Sequence, residues 1–301
     1  MPRDFVSLVK SNKARIGPDG KAYVRCSTVL EGDEGLKYAL ARYTARAAES
    51  LCKQYKSTGD VDVLSFFTED QLLAEARKLL QCDQDRGTLV NLFFDNVLEF
   101  GPFTDEESKS WLHDALEGCR VDNGDPTEYP WACSYSDCEG YVLAAARLQA
   151  DMGLKSLGCQ HRVFHDQLGY CADIDHLAID KDGKKFLLEL KTSNSPDRRH
   201  FFQLAAQWAA LGDSSYTPVV AMLQRDDSGH RYRWLPVKPK ELVPLLHKFK
   251  SLLDVCAYSR KAVPWECGPS MLVLRAPVKD EMGYPSARTK PILAKAIGAA
   301  L

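Results

Sequence analysis

Apolar residues recur at helical spacing through the first half of the chain and at strand spacing after Lys155. Leu36, Leu40, Tyr43, Ala47 and Leu51 mark one face of a helix over 35–53. Thr68-Glu69-Asp70 opens a second helix to about residue 82, and Leu89, Phe93, Val97 and Phe100 stripe a third over 86–100. Thr104 followed by three acids gives an N-cap and an acidic first turn for a helix to about residue 119. A Pro/Gly/Asp-rich loop over 123–130 and a helix over 136–152 follow. The period then falls to two over 156–164, 170–179 and 185–191, with Asp182-Gly183 marking a hairpin turn. Ser195-Pro196 predicts an N-cap and first-turn proline for a helix to about residue 211, with Phe201, Leu204, Ala205 and Trp208 inward. Strands over 217–223 and 231–235 and a helix over 239–255 complete the pattern. The class is α/β: a small mixed sheet flanked by helices, with a helical N-terminal half. We expect one domain over 1–268, helical to about residue 155, and a tail or arm over 269–301.

Composition narrows the options. A 301-residue chain with 45% hydrophobic residues can bury one generous core or two small ones. No stretch approaches the roughly 18 consecutive apolar residues of a membrane span, so no membrane partner is expected. The first 17 residues carry Arg3, Lys10, Lys13 and Arg15 without an apolar block, unlike a secretory signal. This reads as an intracellular, cytoplasmic protein of a bacterial or phage-infected cell, with a mitochondrial presequence left open. Ten scattered cysteines read as reduced core thiols. A net charge of −2 excludes a polycation built for unspecific nucleic-acid binding. DNA contact would fall to local basic patches at Arg198-Arg199-His200, at Arg231, Arg233, Lys238 and Lys240, and at Lys248 and Lys250.

The chemistry concentrates between Tyr170 and Lys191. A three-residue loop of Lys181-Asp182-Gly183, with Gly183 left-handed, sets Asp175 opposite Glu189 and Asp173 opposite Lys191 on one side of the sheet. Ile174, Leu188 and Leu190 then share the other side. A two-residue loop would instead put Asp175 and Glu189 on opposite faces. Two facing carboxylates repel unless something positive lies between them. Mg²⁺ or Mn²⁺ suits that place, because hard cations take oxygen ligands and leave room for water and phosphate. Lys191 could orient the attacking water and offset charge on the phosphate, which together describes metal-assisted phosphodiester hydrolysis.

Around these residues the sequence resembles the RecB-like exonuclease branch of the PD-(D/E)XK nuclease superfamily. The resemblance rests on Gly87-Thr88 with Asn91 and Asp95, on Ala172 to Asp175, on Glu189-Leu190-Lys191-Thr192, and on Gln203 with Gln207, in that order along the chain. Ser27-Thr28-Val29-Leu30 is similar to the opening of the phage members. The resemblance implies a restriction-endonuclease-like core and metal ligation by Asp175, Glu189 and the Leu190 carbonyl. It implies catalysis by Lys191, with Gln203 positioning the lysine or the DNA backbone. It also implies a metal-facing role for Asn91, with Asp95, Asp173 and Gln207 supporting. The implied activity is a DNA exonuclease of replication, recombination or repair, acting on single strands or duplex ends beside a recombinase or single-strand-binding protein. The chain departs from the family pattern: Asn91 stands for His, Asp95 for Glu, Ala172 for Gly and Gln207 for Tyr. These changes open the alternative of a catalytically impaired DNA-binding or recombination-accessory module. The cysteines do not match the iron–sulfur members, so no cluster is expected. His176 reads as structural, the four-residue spacing of His161 and His165 in an expected strand is weak evidence for a ligand pair, and Trp111, Trp131 and Trp208 read as core residues rather than base-stacking platforms.

Overall fold

The computed structural model describes residues 13–30, 35–56, 68–118, 121–122, 125–126, 129–193, 195–224 and 231–259. The expected tail over 269–301 and the helix face at Leu36 and Leu40 lie outside the described residues and side chains. The chain forms two compact units, one from residues before 34, 152–222 and beyond 232, the other from 34–151 and 223–232.

The first unit is the α/β body. Its strands are β1 (Ala14–Ile16), β2 (Ala22–Arg25), β5 (Lys155–His165), β6 (Tyr170–Ile179), β7 (Lys185–Lys191), β8 (Tyr216–Gln224) and β9 (Arg231–Pro236), and the tips of β8 and β9 belong to the second unit. They form one mixed sheet in the order β1-β2-β6-β7-β8-β9, with β5 also on β6. The first two strands were not expected, because each is too short to show a period. β2 runs parallel to β6 and β7 parallel to β8, while β5 and β7 are antiparallel to β6. Helices α1 (Cys26–Leu30), α6 (Arg198–Leu211) and α7 (Pro239–Ser259) complete the unit. Leu204, Ala205 and Trp208 of α6, Leu246 and Phe249 of α7, and Leu187, Val220 and Met222 of the sheet share one buried cluster. The Tyr170 hydroxyl adds a 2.8 Å bond to the Ala206 carbonyl, tying β6 to α6.

The β6–β7 hairpin turns through a three-residue loop. The Asp180 N–H donates to the Lys184 carbonyl, and Gly183 takes φ 81°, a left-handed value that favours glycine. His176 pairs with Leu188 and Ile179 with Lys185. Helix α6 starts at Asp197, not at the expected Ser195. The Asp197 side chain accepts from the Arg199 N–H, while His200 Nδ1 accepts from the Asp197 N–H. An aspartate two residues closer to the first turn competes successfully for the cap.

The second unit is helical, with α2 (Gly35–Lys56), α3 (Glu69–Phe100), α4 (Asp105–Glu117) and α5 (Tyr135–Met152). Helix α3 runs unbroken where two helices were expected, because the turn around Arg86 and Gly87 carries no cap or proline to end it. Leu89, Phe93 and Val97 are buried as the stripe predicts, but Phe100 is 70% exposed at the helix end. Phe93 packs edge-on against Trp111, and the Trp131 indole donates to the Ala115 carbonyl. At the start of the expected 123–130 loop, β3 (Val121–Asp122), just before it, and β4 (Asp125–Pro126), within it, form a minimal ladder. No described helix is long and apolar enough to cross a membrane.

Candidate functional site

A fork in the sheet makes the site. β5 pairs with β6 from Tyr170 to Ile179 and so occupies one edge of that strand. The other edge is shared: β2 takes Tyr170 and Cys171, and β7 takes His176 to Ile179. Ala172 to Asp175 lie in the opening between the two partners. There the main-chain groups of β6 require other partners. Gln207 supplies one, reaching up from α6 to donate from Nε2 to the Asp173 carbonyl at 2.9 Å.

The same Nε2 donates to Glu189 Oε2 at 2.6 Å. Lys191 Nζ donates to the other carboxylate oxygen, Oε1. Glu189 and Gln207 are fully buried, while the Lys191 side chain is 23% exposed. Burial, and then the neighbouring Asp175 charge, push the Glu189 carboxyl well above the usual carboxylate range. Burial pulls Lys191 down, yet Glu189 and Asp175 outweigh it and raise the ammonium above its ordinary value. The two shifts share a direction, towards retaining protons. Burial is the larger cause at Glu189, and the group sets two carboxylates around one ammonium, with oxygens as its donors. Such a set fits a hard divalent cation such as Mg²⁺ or Mn²⁺.

The β6–β7 ladder ends at His176 and Leu188, so it pairs neither Asp175 with Glu189 nor Asp173 with Lys191. The Asp173 carboxylate binds Arg25 Nη2 at 3.2 Å and Arg162 Nε at 2.6 Å. The alternation of β6 slips between Ile174 and Leu177. Tyr170, Ala172 and Ile174 join the cluster under α6, and so does Leu177, an odd number of residues on. Across the ladder, Gln160 opposite Asp175 is left unpaired with φ 49°. The irregularity also moves Ile174 away from the side of Leu188 and Leu190, to the side of Leu187. A strict period of two cannot anticipate such a slip, which is separate from the register shift between Ser156 and Gly158.

The remaining expected residues fall as follows. Leu190 pairs with Ala221 of β8, its side chain buried. Gln203 is half-buried one turn before Gln207, and His200, Gln203 and Gln207 line one face of α6. Asn91 and Asp95 lie one turn apart on α3 of the second unit, and the Asn91 amide donates to the Gly87 carbonyl of its own helix. Two expected basic patches change character. Burial, with Lys191 next, lowers His200 to about 4, so it is neutral at ordinary pH. Lys250 is buried and paired with Asp254 at 2.5 Å.

Sequence reasoning missed Cys26 and the arginines around Asp173. Cys26 opens α1 straight after β2 and is buried, its thiol raised first by burial and then by Glu189. The long-range β2–β6 pairing brings Cys26 and Arg25 to the fork and the β5–β6 pairing brings Arg162, so no local signal marked them. No protein-family model matches this chain, and no curated protein matches it.

Proposed function

We propose that this chain is a Mg²⁺- or Mn²⁺-dependent deoxyribonuclease on a restriction-endonuclease-like core, acting as an exonuclease on DNA ends. The observation that carries the reading is the buried Glu189 held by Lys191 and Gln207, with Asp175 near enough for its charge to act on both Glu189 and Lys191. Further support comes from the order of its parts: strand acid, then acid-x-Lys on the next strand, then a helix that braces the second acid through Gln207. Asp175, Glu189 and the Leu190 carbonyl would hold the ion. Bound there, the ion would supply positive charge to the phosphate oxygens and lower the pKa of a coordinated water. Lys191, kept protonated, is placed to counter charge developing on the phosphate. Gln207 fixes the Glu189 rotamer from below, and Gln203 on the same helix face is the group nearest in sequence that could contact the DNA backbone.

The test is an assay on end-labelled linear and on circular DNA, single- and double-stranded, with Mg²⁺ or Mn²⁺. Linear substrates should be degraded from their ends and circles spared. Lys191→Ala should lower the rate by about 10²–10³, the loss typical of removing one charge-stabilising donor. Unchanged linear DNA with either ion would sink the proposal. One observation favours a second reading, a catalytically impaired DNA-binding or recombination-accessory module: the Asn91 amide is engaged with its own helix, where the family carries a histidine. Salt-sensitive DNA binding without cleavage would select it.

A further inference from the structure

Strand register brings three guanidinium groups to one face of the sheet beside the fork. Arg15 pairs with Tyr23, so Arg25, two residues on, shares its face. Arg25 pairs with Cys171, and Asp173, two residues further along β6, pairs with Arg162. Arg25 and Arg162 each take a different oxygen of the Asp173 carboxylate. Arg15 donates to the Ala14 carbonyl at 3.2 Å. Its pKa is lowered, by burial first and then by Arg25 and Arg162, ahead of the opposing pull of Asp173. At Arg15 the neighbouring cations thus outweigh the carboxylate. The cluster is also reachable, with side-chain exposures of 21% for Arg25 and 43% for Arg162.

Asp173 connects this cluster to the fork. Its carboxylate orients two arginines while its main-chain carbonyl takes the Gln207 amide that also holds Glu189. Asp175 lies two residues along the strand, about 7 Å at the usual rise. Asp173 and Asp175 both fall in the opening of β6 between its β2 and β7 partners, so a strand crossing that opening passes both clusters. Guanidinium groups present planar, paired donors suited to phosphate oxygens. We propose that Arg15, Arg25 and Arg162, arranged around Asp173, bind the phosphate backbone of a DNA strand next to the Asp175–Glu189–Lys191 site. Naming DNA as the ligand rests on the nuclease reading.

The test uses the full chain in EDTA, with a fluorescein-labelled 20-nucleotide single strand and anisotropy read across a salt series. Arg15→Gln and Arg162→Gln should each flatten the slope of log K against log salt by about 0.7, and weaken binding about fivefold near 0.1 M salt. Arg147→Gln on α5, an exposed residue paired with Asp151, should leave the slope unchanged. Asp173→Asn removes a competing anion and should leave binding as tight as in the parent chain, or tighter. Thermal melts establish that each variant is folded, and Arg162→Lys should restore most of the slope if Arg162→Gln is not. Folded Arg15 and Arg162 variants with the parent slope, or a parent chain that does not bind the strand, would overturn the proposal. Cleavage is scored separately with Mg²⁺. Flattened slopes without cleavage would keep the phosphate site and remove the nuclease, and cleavage with parent slopes would do the reverse.

Discussion

Glu189 is a buried acid, and each of its oxygens has one partner, Lys191 or Gln207. Removing either leaves a carboxylate oxygen desolvated without compensation. Gln207→Ala should cost about 2–3 kcal/mol, the usual worth of hydrogen bonds to a buried charge, measured by denaturant unfolding. Gln203, half-buried and one turn away, should tolerate Ala within about 0.5 kcal/mol. If Gln203 touches the DNA backbone, its variant loses cleavage while keeping stability. A stability loss at Gln203 equal to that at Gln207 would contradict these assignments.

At the scale of the element, the hairpin and the slip in β6 together set the site. Gly183 holds its left-handed conformation with no heavy atom near where a Cβ would lie, so the cost of a side chain there is conformational rather than steric. Gly183→Ala should destabilise by about 1 kcal/mol and Gly183→Asn by less, read from melting temperatures. Equal stability for all three would show that the loop relaxes to another register. The three-residue loop was readable in Asp182-Gly183 because turn chemistry is local. The slip between Ile174 and Leu177 was not, because it depends on how β5 and α6 press on β6 from outside the segment.

At the scale of the whole chain, each unit has its own buried apolar residues, and the contact of α2 with α3 adds polar bonds to them. The α/β body rests on a broad apolar cluster, whereas the described contact of α2 with α3 has a small one at Tyr43, Ala47 and Ala76. Asp83 accepts from the Tyr43 hydroxyl and from Arg46, each at 2.8 Å, and pairs with Arg86. Burial alone would raise Asp83, but these partners outweigh it and hold the carboxyl below its ordinary value. A depressed acid contributes stability above its unfolded pKa, and that stability disappears as pH falls through the folded value. Asp83→Asn should therefore cost about 1–2 kcal/mol at neutral pH, discounted for the exposure of Arg46. The cost should shrink below about pH 4. A pH-independent difference would show that the bonds do not depend on the charge.

The α/β class, most helix and strand positions, the hairpin loop, and the segment carrying Asp175, Glu189 and Lys191 were legible in the amino-acid order alone. Those follow from periods, caps and turns, which act over a few residues. Only the tertiary structure decided that β2 and β7 share one edge of β6, that Gln207 bridges the opening, and that Asp173 turns to the arginines rather than to Lys191. Each of these joins residues far apart in the chain. Their energies depend on burial and on neighbouring charge, which are properties of the packed molecule and not of any short stretch of it.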